Sequence, residues 1–265
     1  MDFTRVLPEE CLCLIISLTS PRDACRSALV SPAMRSVADS DAVWERSLPC
    51  DYKEIISGSS SSSSSLLSLP KKDLYFRLSL HPLLLENGSK SFQLEKETGK
   101  KCYMLGARAL SIIWEDEPEY WGWTSIPESR FSEVAKLEIV WWLEVKGKIK
   151  TRILSSRTSY AAYLVFKFDD EYRYGFRNRS VSLCVNVQGG ASGEVRDVLL
   201  DPSENMPRQA RERGNGWMEI EMGEFWNECG DDGTVECILW EVNTAYRKEG
   251  LIIEGIELRP KDIGS

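Results

Sequence analysis

Leu137-Glu138-Ile139-Val140-Trp141-Trp142-Leu143-Glu144-Val145, followed by Lys146-Gly147-Lys148, decides the fold class. Its apolar and polar side chains recur with a period near two, and it is rich in β-branched and aromatic residues, so it reads as a half-buried strand ending in a Lys-Gly-Lys turn. Working outward, the same period holds from Lys101 onward: Tyr160–Phe168, Val181–Val187, Gly216–Met222, Thr234–Val242 and Leu251–Leu258 are further strands. Glu224-Phe225-Trp226-Asn227 reads as a short helical turn. Many short strands with turn signals and no long helix between them predict an antiparallel β-sandwich.

Before Lys101 the period is helical. Pro8 opens a helix whose first turn carries Glu9 and Glu10, where carboxylates suit the positive end of the helix dipole. Ser20 caps the next, with Pro21 at its first position and Asp23 three residues after the cap; Ser31 caps a third, again followed by Pro32. A fourth short turn runs through Asp41–Glu45. Such short helices hold only by packing together. Leu7, Leu12, Ile15, Ile16, Leu18, Ala24, Ala28, Leu29, Val30, Met34, Val37, Val43 and Trp44 are more apolar surface than so small a unit can bury, which predicts an exposed apolar face and hence a docking surface. Between the two parts, the serine-rich stretch 57–65 reads as a flexible tether. Lys71–Leu85 reads as a bridging helix ended or bent by Pro82.

Composition narrows the chemistry. The 265 residues carry a net charge of −8. Residues 102–265 hold 20 basic and 28 acidic side chains, so the large C-terminal part is acidic, and nucleic-acid binding is not expected. One histidine, His81, leaves no His-based triad or two-His zinc site. Eight cysteines without CxxC spacing are expected to be reduced thiols, with no metal and no cofactor. No run reaches the roughly 20 apolar residues of a membrane span, and no targeting segment is evident; the expectation is a soluble protein of the cytoplasm or nucleus, without a membrane partner.

Five of the nine tryptophans fall between 114 and 142. Trp114, Trp121 and Trp123 surround the acidic stretch Glu115-Asp116-Glu117-Pro118-Glu119. Aromatic faces suit the C–H face of a sugar ring, and carboxylates accept from its hydroxyls. Glu115, Glu119 and Glu241 could in principle form a glycosidase pair, but that chemistry depends on a carboxylate separation which sequence does not fix, and no catalytic residue is assigned.

Two resemblances give these patterns names. Leu7-Pro8-Glu9-Glu10, Ile15-Ile16-Ser17-Leu18, Ser20-Pro21-Arg22-Asp23, Leu29-Val30-Ser31 and Val43-Trp44, over about residues 4–48, look like an F-box; Cys11 and Cys13 stand where that motif commonly has aliphatic residues. The resemblance implies binding of a Skp-type adaptor and, through it, a cullin, with Leu7, Pro8, Ile15, Ile16, Leu29, Val30 and Trp44 at the adaptor interface. Lys101–Arg108, Leu110–Trp114, Tyr120–Trp123, Val140–Ile149, Ser159–Lys167, Gly216–Ile220, Gly223–Trp226 and Gly250–Pro260 look like a phloem protein 2 domain, the tobacco-agglutinin type of lectin. That resemblance implies carbohydrate binding through Trp114, Trp121 and Glu241. A second acidic ligand of the agglutinin falls at Thr234, which bonds a hydroxyl without charge assistance.

The expected architecture is α+β and multidomain: a small N-terminal helical F-box over 1–50, a serine-rich linker and bridging helix over 51–100, and an antiparallel, jelly-roll-like β-sandwich lectin domain over 101–262. The expected function is the non-catalytic substrate-recognition subunit of an SCF-type (cullin–RING) E3 ubiquitin ligase that recruits a protein or N-glycosylated target. The alternative is a lectin acting independently of ubiquitination.

Overall fold

The computed structural model describes residues 7–59, 63–190, 193–229 and 233–261. Part of the serine stretch, Asp231, Asp232 and the end of the expected sandwich at 262 therefore lie outside the described residues. The chain divides into two compact units, Met1–Asn87 with Ser91–Cys102, and Gly88–Lys90 with Tyr103–Ser265.

The first unit is helical. Its helices are α1 (Glu9–Ser17), α2 (Pro21–Ser27), α3 (Pro32–Ala38), α4 (Asp41–Ser47), α5 (Tyr52–Ser57), α6 (Ser63–Leu67) and α7 (Lys71–Leu80). The serine caps form as the sequence requires: the Ser20 hydroxyl accepts from the Asp23 amide and the Ser31 hydroxyl from the Met34 amide, each at 3.1 Å. The stretch expected to be a tether contributes the end of α5 and the start of α6. The expected bridging helix stops at Leu80, because Pro82 cannot continue it; β1 (Leu83–Leu85) follows, then β2 (Lys90–Leu94). The core of the unit is Trp44, which is 1% exposed. Its indole N–H donates to the Ala38 carbonyl at 2.7 Å, and its ring packs against Tyr75 and Phe76 of α7, centroids 5.1 and 5.3 Å away.

The second unit is a two-sheet sandwich. Its strands are β3 (Lys101–Gly106), β4 (Ser111–Ile112), β5 (Trp121–Thr124), β6 (Val134–Leu137), β7 (Leu143–Lys150), β8 (Thr158–Phe168), β9 (Ser180–Val187), β10 (Arg196–Leu199), β11 (Arg211–Gly214), β12 (Trp217–Asn227), β13 (Thr234–Glu241) and β14 (Leu251–Pro260). One sheet runs β3-β14-β8-β12-β11, with β6 also paired to β14 and β5 to β6; the other runs β10-β9-β13-β7-β4. All of these strand pairs are antiparallel. Leu105, Ile256, Leu164 and Ile220 stand in register across the first sheet, and Val145 and Leu239 across the second; all six are buried between the sheets.

Three expectations are corrected here. The stretch 137–145 is not one strand: β6 ends at Leu137 and β7 begins at Leu143, with a lone bridge from Val140 to Lys248 between them. Lys146-Gly147-Lys148 is not a turn but the middle of β7. Gly147 serves packing: a Cβ there would stand 3.0–3.1 Å from the side chains of Ile256, Leu105 and Leu110. Glu224–Asn227 is the end of β12 rather than a helical turn, held to β8 from Ala161 to Thr158.

Candidate functional site

Among the described residues, each unit carries exposed apolar side chains. In the first unit, α1 buries Leu12 and Ile16, four residues apart on one face, and so turns Leu14, Ile15 and Leu18 outward at 52%, 51% and 68% exposure. Beyond α2 the chain presents Leu29 and Val30, 78% and 73% exposed. The residues expected at the adaptor interface therefore divide. Leu7, Pro8, Ile15, Leu29 and Val30 are exposed. Ile16 and Trp44 are corrected to core positions, the first by its helical phase and the second by its packing against α7. The i, i+4 spacing of Leu14 and Leu18 was the available signal for the two residues that complete the exposed set.

In the second unit the four expected sugar ligands do not converge. Thr234 and Glu241 are the first and last residues of β13, so at about 3.3 Å per residue they stand roughly 23 Å apart and cannot share a sugar ring. Trp121 is 1% exposed, and its indole N–H donates to the Ile113 carbonyl at 3.1 Å. It holds the loop from beneath and offers no ring face for stacking, which corrects its expected role. Trp114 is 42% exposed in a left-handed backbone conformation, φ 61°, tilted against Tyr120 at 5.4 Å.

Trp114 and Glu241 do lie at one end of the smaller sheet. Ile112 pairs with Val145 and Val145 with Leu239, and the Ile113 amide donates to the Glu144 carbonyl at 3.1 Å. Glu241, however, is committed internally. Its Oε1 accepts from the Asn243 amide at 2.9 Å, and its Oε2 faces the Lys248 ammonium at 2.5 Å. Lys248 is fully buried and also donates to the carbonyls of Trp141 at 2.6 Å and Asn243 at 2.9 Å. Burial, with the Arg179 guanidinium nearby, pushes this ammonium down to about 8, against the pull of Glu241. One buried cation thus ties the end of β13 to the segment bearing Trp141 and Trp142, which are 45% and 40% exposed. Trp123 is spoken for: Arg108 stacks 3.6 Å from its ring centroid. The structure therefore assembles an aromatic rim of Trp114, Trp141 and Trp142, of which only Trp114 was expected. The Trp-Trp pair before a strand was its legible signal. Among the described residues no cluster of acidic, cysteine or histidine side chains is fit to hold a metal.

The F-box-like family model matches residues 4–48, and the Phloem protein 2 model matches residues 100–260. The chain is 47% identical to F-box protein PP2-B10 of Arabidopsis thaliana, over 97% of this chain and 93% of that one. It belongs to the plant F-box PP2-B family. A further member, Putative F-box protein PP2-B12 of Arabidopsis thaliana, is 44% identical over 97% of this chain and 98% of that one. Among solved structures, the CBM22-1 xylan-binding domain of Paenibacillus barcinonensis Xyn10C aligns with a TM-score of 0.28 at 10% identity, covering 59% of this chain and 85% of that one. In the terms of the PP2-B family, the first unit contains the F-box, and the second is the phloem protein 2 domain, an antiparallel β-sandwich.

Proposed function

We propose that this PP2-B chain is the substrate-recognition subunit of an SCF-type cullin–RING ubiquitin ligase. The F-box docks a Skp-type adaptor, and through it a cullin; the phloem protein 2 domain recruits a glycosylated or unmodified protein target. The observation that carries this reading is the exposed set Leu14, Ile15, Leu18, Leu29 and Val30, which no described residue of its unit covers. Large apolar side chains left in water on so small a unit are explained by a partner that buries them. No chemistry is asked of the chain: holding the target near a ubiquitin-charged enzyme supplies effective concentration. The place of action is the cytoplasm or nucleus, in keeping with eight free cysteines.

The test is co-purification of the Skp-type adaptor with the full chain and with Leu29→Glu/Val30→Glu. Both side chains are exposed, so the variant is expected to fold with an unchanged thermal melt and to lose the adaptor. Undiminished co-purification would refute the docking surface. A second reading, a lectin acting without ligase assembly, is favoured by the aromatic rim; it predicts glycan binding by a chain that recovers no adaptor from plant extract.

A further inference from the structure

Past the end of β8 the chain runs through a segment, residues 171–179, that carries Arg173, Arg177 and Arg179 on a domain that is acidic as a whole. The segment is firmly held. Tyr174 exchanges both backbone hydrogen bonds with Glu249, at 3.2 and 3.0 Å. The Asn178 amide donates to the Asp201 carbonyl at 3.0 Å, and the Asn178 Oδ1 accepts from the Ser203 amide at 2.8 Å. Buried Phe176 packs on Phe168, centroids 5.3 Å apart. Here lies a cavity of about 170 Å³, lined by half-buried Phe168, Pro202 and Met218, with the exposed Arg173 and Arg208 on its wall. Its one lining carboxylate, Asp201, is 9% exposed and taken by Arg173 at 3.5 Å. Arg177, Arg179 and Arg208 form no ion pair among the described residues, and Arg179 stacks 3.6 Å from the centroid of the Tyr246 ring. Tyr172 and Tyr174 of the same segment are exposed.

We infer that this is where the domain grips a protein target, and that the surface takes an acidic peptide segment bearing one large apolar side chain. The cavity sets the anchor: its volume is well below the roughly 300–1,000 Å³ of small-molecule sites and suits a single side chain. The guanidiniums set the sign. Stacking on Tyr246 occupies a face of Arg179 and leaves its N–H edge available to a carboxylate. A basic segment would meet unpaired arginines. A phosphoserine would need several donors converging on one group, whereas Arg173 is held by Asp201 and the unpaired arginines stand at separate positions on two loops. That spacing suits successive side chains of an extended segment. Long polyanions such as nucleic acid are opposed by the net acidity of residues 102–265. Exposed tyrosine and arginine are the residue types that dominate protein interfaces, and a segment already fixed in place lowers the ordering cost of association. The inference deepens the proposed recruitment of a protein target and rests on it.

The experiment is fluorescence anisotropy with short labelled peptides in which one leucine or phenylalanine is flanked by aspartate and glutamate. Matched peptides carry asparagine and glutamine for the acids, lysine for the acids, alanine for the anchor, or one phosphoserine in a neutral background. Each is titrated with the full chain, with Arg177→Gln/Arg208→Gln, and with Lys150→Gln/Arg211→Gln, which removes two exposed cations elsewhere on the domain. Thermal melts of the same samples check folding. The acidic, anchored peptides are expected to bind. Neutralising their acids, removing their anchor, or making Arg177→Gln/Arg208→Gln should each weaken binding roughly tenfold or more, as lost charge-assisted contacts or a lost buried side chain imply. Lys150→Gln/Arg211→Gln should bind like the parent. Undiminished binding by Arg177→Gln/Arg208→Gln overturns the inference, as does an equal loss in Lys150→Gln/Arg211→Gln. A preference for the lysine or phosphoserine peptides, or binding to none, overturns it as well. Adaptor co-purification from the same preparations reports separately on the ligase reading: acidic-peptide binding without adaptor recovery supports this surface and refutes the ligase.

Discussion

At the scale of single residues, Lys248 does the most. A buried lysine is costly unless its three protons are all used, and here a carboxylate and two carbonyls use them. Removing it leaves Glu241 as a largely buried, unpaired charge, so Lys248→Met should destabilise the sandwich by about 3–5 kcal/mol. Neutralising the partner as well should recover part of that loss. Chemical denaturation of Lys248→Met, Glu241→Gln and the double variant measures the coupling; additive effects would mean the pair is not an energetic unit. The depressed ammonium sets the sign with pH: the folded state binds this proton less tightly than the unfolded chain does. The penalty of charging Lys248 is present below about 8 and is relieved as pH rises toward the ordinary lysine range.

At the scale of elements, glycine decides what β7 can do. Gly147 lets the middle of the strand approach β14 and β3, with the ends of three side chains within 3.1 Å of where a Cβ would be. Gly147→Ala should therefore overpack the sandwich and cost about 1–3 kcal/mol, read as a lower midpoint in denaturant with an unchanged slope. A gain in stability would show that Ile256, Leu105 and Leu110 yield freely. The same residue marks the limit of what sequence discloses. Ser20-Pro21 and Ser31-Pro32 announce helix starts through contacts made within three residues, and both caps form. A glycine between two lysines has two local meanings, a turn or a close approach, and only the opposite sheet chooses between them. Trp121 is illegible for a similar reason: whether a ring covers or is covered depends on where β5 docks. The spread of Thr234 and Glu241 was hidden only by the strand boundary, since seven residue steps of unbroken strand separate the two once β13 forms.

At the scale of the whole molecule, the acidic balance of residues 102–265 sits around a few buried ion networks. Glu257, 3% exposed, meets Arg213 at 2.5 Å, Arg130 at 3.2 Å and Arg259 at 3.7 Å. Glu219 takes Arg213 and Arg259 from the other side at 3.2 and 2.8 Å. Burial alone would raise the Glu257 carboxyl, but Arg130 and Arg213 outweigh it and hold it below the usual range. Asp169 is lowered by its bond to Lys136, and Glu221, despite burial, by Arg196 and Lys261. A carboxyl lowered in the folded state contributes stability that is whole above its unfolded value and fades as pH falls through its folded one. The stability these carboxylates contribute should thus be whole down to about pH 5 and be lost progressively below about pH 4, where unfolded carboxylates take up protons first. Glu257→Gln should lower stability at neutral pH and flatten this acid slope, because one of the groups that produces it is gone. Tryptophan fluorescence in denaturant, repeated from pH 7 to pH 3, tests both features. A variant with the parental slope would mean that the arginines around Glu257, rather than its charge, organise this part of the sheet.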